Sequence, residues 1–362
     1  ADRDHAREFT CLVLIGFYFL CPLFFSRAMI ESLSAPFLTA SSFFACHYYV
    51  HQRLRSLGFA VAFLACASVF RFQTGVCVVS LFFLVALKRR FLDWAVLGIS
   101  CFLGFTITGF LDQFLKGAFH QTLLDYVKYN WAYSSSYGVG PAYLFLMMLA
   151  LLSLPPTLFS RFKGLRWKEE YGPLLPALSY LVVFLIAHSI VPHKEERFLI
   201  PILGVFLILL VPLVVQLLHE RSWWRIGYGA AVNGVLLVLC VTAVPQNSVI
   251  GLATFVENNK TIVRLVAVDD TLVFFPASLI ERKLKYDGIS GAQLGQSPAL
   301  SCDGALVIRQ SIREHLPEVE KNYHKVAEFR PGLLEGIAIR INPNKNARRG
   351  TIELYLKRGC GL

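Results

Sequence analysis

The sequence predicts an α-helical polytopic membrane protein of about eight to nine spans with a small C-terminal α/β soluble domain. Three observations lead there. The 362 residues are 55% hydrophobic and only 16% charged, and Phe (30) outnumbers Asp and Glu together (24), which is outside the range of soluble domains. Uncharged runs long enough to cross a bilayer recur as far as residue 244, the clearest being Phe198–Leu218. From Pro245 onward such runs stop and short strand-like segments replace them.

In chain order the expected spans are Phe9–Phe25, Ala28–Val50, the shorter pair Leu57–Phe70 and Gln73–Leu87, Phe91–Leu111, Ala142–Ser160, Leu174–Val191, Phe198–Leu218 and Ile226–Val244. Residues 1–245 therefore form a multi-span domain and residues 246–362 a soluble one. In the latter, Arg264–Phe275, Ala305–Gln310, Gly336–Ile341 and Thr351–Leu356 read as strands and Ser311–Val326 as a helix. Basic residues cluster in one set of alternate loops, at Arg53 and Arg55, Lys88 to Arg90, Arg161 to Lys168, and Arg221 with Arg225. The positive-inside rule makes that set cytosolic. The turn at Arg71, the stretch from Asp112 to Pro141, the loop at His193 and the C-terminal domain then face the lumen or periplasm. The net charge of +11 suits contact with anionic membrane lipid; nothing resembles a nucleic-acid module. Seven of the nine cysteines lie in apolar spans, and whether Cys302 and Cys360 pair is left open. No CxxC or HExxH spacing occurs, so neither a metal site nor a cofactor is expected. The opening "ADRDHAREFT" lacks Met, and no signal-like or membrane segment precedes Phe9, which reads as a fragment or an upstream-trimmed chain.

Polar residues fall in four islands on the non-cytosolic side, and charge at a membrane helix mouth is a functional signal. Arg27 and Glu31 are spaced for an internal pair. Arg71 has no acidic neighbour in sequence: either it snorkels to the interface or it meets an anion brought by a ligand. Residues 112–130 alternate as an interfacial amphipathic helix. The aromatic run around Tyr137 suits either a headgroup belt or a sugar platform, with Asp112, Lys128, Asn130 and Tyr137 as candidate sugar contacts. In "VPHKEERFLIPIL", Pro192 suits the first helical position. His193, Lys194 and Glu195 would then occupy a first turn, with His193 and Arg197 on one face, so that helix dipole and basic side chains converge as a phosphate site. The competing reading is an interfacial cluster in which Glu195 and Glu196 neutralise Lys194 and Arg197.

"PHKEERFLIPIL" closely resembles the HKExRF signature of glycosyltransferase family 22, the lipid-linked mannosyltransferases of N-glycan precursor and glycosylphosphatidylinositol assembly. "FFSRAMIESLSAPF", "FRFQTG" and "GFLDQFLKGAFHQTLLDYVKYNWAYSSSYGVGPAYLFL" resemble further family segments in the same order. The resemblance implies a GT-C membrane fold. It also implies inverting transfer of mannose from polyprenyl (dolichyl) phosphate to a hydroxyl of a lipid-linked glycan, on the lumenal side of the endoplasmic reticulum or the periplasmic side of a bacterial inner membrane. His193, Lys194, Glu195 and Arg197 match the motif, and Arg71 and Arg27 are candidate additions to the donor-phosphate site. The family's catalytic carboxylate lies in a first lumenal loop that has no counterpart here, so the general base is expected upstream of Ala1. A lipid-glycan transporter would instead show internal repeats and polar residues on both faces, neither of which is evident. A non-catalytic glycolipid-binding relative is the remaining alternative.

Overall fold

The structure, a computed structural model, describes residues 2–26, 29–88, 90–133, 139–157, 165–242, 246–272, 275–294, 300–341 and 350–361. The chain divides into two compact units, Ala1–Val241 and Thr242–Leu362. The elements described in the first are all helices or helical turns.

Unit one opens with α1 (Asp2–Phe17) and α2 (Leu20–Phe25), separated by a break at Tyr18 and Phe19. Backbone groups freed by such a break need partners in an apolar setting. Asn233 of α12 (Trp223–Thr242) supplies two, accepting from the Phe19 amide at 3.0 Å and donating to the Phe17 carbonyl at 2.7 Å. Next come α3 (Ile30–His51) and α4 (Leu54–Phe70), joined at Gln52 in a left-handed conformation (φ 55°) that ends α3. Their facing surfaces are built from small buried residues, Ser34, Ala35, Ser41 and Ala45 against Ala60 and Ala67, which let helix backbones approach closely. The Ser41 hydroxyl donates to the Ala60 carbonyl at 2.7 Å and meets the Tyr180 hydroxyl of α10 (Leu175–Ile190) at 2.8 Å, fastening three helices at one buried point.

A 3-10 turn (Phe72–Cys77) leads into α5 (Val78–Lys88), so the expected pair Leu57–Phe70 and Gln73–Leu87 consists of two separate helices broken at Arg71. Then follow α6 (Phe91–Lys116), α7 (Gln121–Tyr133), α8 (Leu144–Thr157) and the short α9 (Trp167–Tyr171) ahead of α10. The single amphipathic helix expected over 112–130 does not form. α6 runs on to Lys116 and stops at Gly117 (φ 81°), where the left-handed backbone favours glycine, and α7 begins afresh at Gln121.

α11 (Ile200–His219) is the central helix, buried along almost its whole length against α3, α1, α10 and α8. It touches α3 so closely at Gly204 that a Cβ there would collide with Thr39 Oγ1. α6 is its opposite: Ile99, Phe102, Phe105 and Phe110 are exposed, an apolar surface suited to lipid. Among the described residues three helices are long and apolar enough to cross a membrane, Phe91–Lys116, Glu196–His219 and one beginning at Trp223.

Unit two carries α13 (Asn247–Asn258) and a five-stranded sheet of order β2-β1-β3-β5-β4. β1 (Arg264–Val268) pairs in parallel with β2 (Lys285–Ile289) and β3 (Gly304–Arg309); β5 (Ile352–Lys357) is antiparallel to β3 and to β4 (Tyr323–Phe329). Alternate residues of the central strands serve two cores. Leu265, Val307 and Leu354 pack with Val249 and Leu252 of α13, while Val266, Leu306 and Tyr355 pack with Val319 on the other face.

Three expectations are corrected in this unit. Gly336–Ile341 is not a strand but the end of α16 (Leu333–Ile341), whose Glu335 accepts from the Gln246 and Gly332 amides. The single helix over 311–326 is replaced by α14 (Gln310–Arg313), α15 (Pro317–Asn322) and β4, and β2 was not anticipated. Asp269 holds a left-handed turn (φ 51°) and accepts from the Gly291 amide at 3.1 Å, a strand-end role. Cys302 and Cys360 form a disulfide joining the segments beside the antiparallel neighbours β3 and β5.

Candidate functional site

The site gathers where α3 begins, where α4 ends and where α10 gives way to α11. Val191 to Glu195 is not the first turn of a helix. His193 forms an isolated antiparallel bridge with Val139, and the Gly140 amide donates to the Pro192 carbonyl at 3.2 Å. A 3-10 turn at Glu196–Leu199 follows, and Pro201, not Pro192, sits in the first turn of α11. The expected convergence of the helix dipole on His193, Lys194 and Glu195 is therefore not formed.

Lys194 explains why the chain stays extended there. Its ammonium is turned inward and donates to the carbonyls of His188 (3.1 Å), Ser189 (3.0 Å) and Val191. These are the carbonyls left without partners at the end of α10, and a cation is favoured at that negative helix end. The stem lies against Gly140, where a Cβ would approach Lys194 Cγ to 2.7 Å, and the ammonium is 5.7 Å from the centre of the Phe145 ring. Burial pushes the Lys194 amine down from its ordinary value. Lys194 is thus an anchor of the loop and does not face the other motif side chains.

Those side chains form one ionic chain. Arg71, at the extended residue between α4 and the 3-10 turn, donates to Glu31 Oε1 at 2.6 Å. Arg197 Nε lies 3.7 Å from the same oxygen and also bonds Glu195 Oε2. Glu195 Oε1 in turn meets His193 Nε2 at 2.9 Å. Phe198 lies between the two ends: its ring is 4.7 Å from the Arg71 guanidinium carbon and 5.5 Å, edge to face, from the His193 ring. Arg71 and Glu31 are nearly buried, whereas Arg197 is 55% exposed. Arg197 meets both carboxylates through Nε, so its two terminal amino groups keep donors for an anion. Desolvation raises the Glu195 carboxyl, but the Arg197 hydrogen bond and charge, with those of His193, outweigh it and hold it below the ordinary range.

Neither reading of Arg71 made from the sequence is what the fold uses, since the anion it meets is Glu31, forty residues away. Glu31 is a site residue whose partners Arg71 and Arg197 the spacing along its own helix does not show. Its expected partner Arg27, like Tyr137, lies outside the described residues. The candidate sugar contacts are employed locally: Asp112 accepts from the Thr122 amide (2.7 Å) and hydroxyl (2.6 Å), and Asn130 donates to the Tyr126 carbonyl at 2.8 Å. Lys128 is exposed. Tyr126, not anticipated, packs its ring 5.5 Å from that of Phe72, beside Arg71.

Over 235 residues the chain is 26% identical to GPI mannosyltransferase 3 of Kluyveromyces lactis, covering 58% of this chain and 38% of that protein. Over 139 residues it is 32% identical to alpha-1,2-mannosyltransferase ALG9 of Mus musculus, covering 33% of this chain and 22% of that protein. The chain thus spans well under half the length of these relatives. No solved structure matches it. Residues 3–269 match the Alg9-like mannosyltransferase family, a stretch that holds every residue of the ionic chain, and the protein belongs to that family.

Proposed function

We propose that the protein is an inverting mannosyltransferase that takes mannose from a polyprenyl (dolichyl) phosphate and adds it to a hydroxyl of a lipid-linked glycan. The observation that carries this reading is the half-exposed Arg197, held by Glu31 and Glu195 with its terminal amino groups uncommitted, beside Arg71 and His193. In the reaction a general base takes the proton of the acceptor hydroxyl as its oxygen bonds to the anomeric carbon, the bond from that carbon to the phosphate oxygen breaks, and the phosphate departs with the electron pair. Negative charge grows on that oxygen, and fixed cationic donors facing it lower the barrier. Arg197 binds the phosphate by its terminal N–H groups, His193 holds Glu195 and Arg71 fixes Glu31, and the two carboxylates orient Arg197. Glu31 and Glu195 are themselves held in ion pairs, which suits them to positioning and not to accepting the acceptor's proton.

In this proposal the four shorter apolar helices, Leu54–Phe70, Phe72–Lys88, Leu144–Ser153 and Leu175–Ile190, also cross the bilayer, and the site faces the lumen or periplasm. The bias of basic loops supports that orientation. So does the Cys302–Cys360 disulfide, which belongs in an oxidising compartment.

The test is transfer of labelled mannose from polyprenyl phosphate mannose to a lipid-linked glycan by membranes containing the full-length protein. Arg197→Ala and His193→Ala are expected to lower transfer by roughly a hundredfold each with membrane insertion intact. Unchanged transfer in both variants overturns the proposal.

A further inference from the structure

Helices α1, α3 and α11 leave an open groove of about 760 Å3, bounded by Ile15, Ser32, Ala40, Phe43, Gly204 and Ile208 among others. Its α3 wall starts at Ser32, the residue after Glu31, and reaches Phe43, roughly 16 Å along the helix at 1.5 Å per residue. On α11 it passes Gly204 and Ile208, two and three turns inward from Arg197. The groove therefore runs along α3 and α11 away from the ends that carry Glu31 and Arg197.

Its two hydroxyls are already used. Ser32 donates to the Phe24 carbonyl at 2.6 Å and Thr39 to the Ala35 carbonyl at 2.8 Å. What remains for an occupant is hydrocarbon contact, with Thr39 and Gly204 in close contact where α3 meets α11. Leu33 and Phe43 at its margin are exposed, so the groove opens on the surface that lipid would cover. An amphiphile with an anionic head at Arg197 and one apolar tail matches this shape and charge.

We propose that the groove between α1, α3 and α11 binds the isoprenoid chain of the lipid donor nearest its phosphate, with the phosphate at Arg197. This rests on the donor reading above. A single groove below a single half-exposed arginine takes one chain on one phosphate, as a polyprenyl phosphate presents, whereas a bilayer phospholipid brings two chains together.

The full chain in phosphatidylcholine vesicles is labelled with a farnesyl phosphate bearing a benzophenone, and the adducts are mapped. Adducts are expected on residues 32–43 and 204–208, suppressed by dolichyl phosphate and unaffected by an equal amount of dioleoyl phosphatidic acid. Ala40→Trp, which fills the groove, is expected to reduce labelling roughly tenfold, and Ile208→Phe to reduce it in the same direction should Ala40→Trp fail to fold. Adducts elsewhere, labelling indifferent to both substitutions, or equal suppression by phosphatidic acid overturns the proposal. In transfer assays with the full-length protein, Ala40→Trp should cut kcat/KM roughly tenfold for a prenyl-linked donor and leave that for a methyl phosphate mannose donor, which has no chain to place in the groove, unchanged; equal loss with both overturns the groove assignment. If the wild type transfers mannose from neither donor while groove labelling behaves as expected, the mannosyltransferase reading fails and the groove stands.

Discussion

Arg71 donates to Glu31 across 2.6 Å and forty residues of sequence, joining the end of α4 to the start of α3 by a pair that is almost wholly buried. A buried pair of this kind is easily broken and poorly replaced by halves, because the survivor is left charged without a partner. Glu31→Gln should destabilise the protein by about 3–5 kcal/mol, seen as an earlier thermal transition in detergent. The double variant Glu31→Leu with Arg71→Met should recover much of that loss. Both variants should lose transfer, since Arg197 loses one of its carboxylate partners; equal instability of single and double variants would show that the pair itself is not what matters.

Gly140 faces Lys194 with no room for a side chain. Gly140→Ala is therefore expected to displace the Lys194 stem and shift the His193 loop with it. The readout is transfer activity falling severalfold or more while Gly117→Ala, at a left-handed turn remote from the motif, affects stability alone.

Lys194 closes the end of α10 by bonding three carbonyls. Lys194→Met keeps the stem and removes the donors, and should cost about 2–3 kcal/mol. Hydrogen exchange should quicken at the end of α10 and in the following loop. Lys194→Arg is not expected to rescue, because a planar fork does not fit where three carbonyls surround a compact ammonium.

Glu195 provides a pH test. Its carboxyl sits below its ordinary value of 4.5 in the folded protein. A depressed carboxylate stabilises the fold above its unfolded pKa, and that contribution is lost as pH falls through the lower folded value. The difference in thermal stability between wild type and Glu195→Gln should therefore shrink as pH falls below about 4.5.

Cys302 and Cys360 are 58 residues apart in sequence. Closing a loop of that size is worth about 4 kcal/mol on the chain-entropy account. Cys302→Ser should lower the stability of unit two by that order, measured as urea sensitivity of proteolysis within residues 246–362, with little change in the helices of unit one.

The apolar helices are legible in the sequence because an uncharged run such as Phe198–Leu218 announces itself by length. Short segments that fit two periods are harder: Gly336–Ile341 alternates like a strand, yet Leu334, Ile337 and Ala338 also stand at helical spacing, and the Glu335 cap decides for α16. The HKEERF motif is visible as a cluster of charge, but its geometry is not. Two prolines, Pro192 and Pro201, each suit a helix start, and the choice is made by Lys194 reaching carbonyls on α10, a contact outside local patterning. Glu31 is legible as a charged residue at a helix mouth, but its bond to Arg71 is not, since spacing along one helix cannot reveal a partner on another.

The strand order β2-β1-β3-β5-β4 places the fifth strand to be synthesised between two earlier ones. While the chain is being made, β3 thus has one side unpaired, and a row of exposed backbone donors and acceptors is an invitation to wrong partners. Completion waits for β5 to arrive and insert, after which the Cys302–Cys360 bond can lock it in place. A ribosome stalled before Ile352 would leave a product that carries α1 to α16 but whose sheet is open, making β5 a checkpoint on whether this unit has been finished.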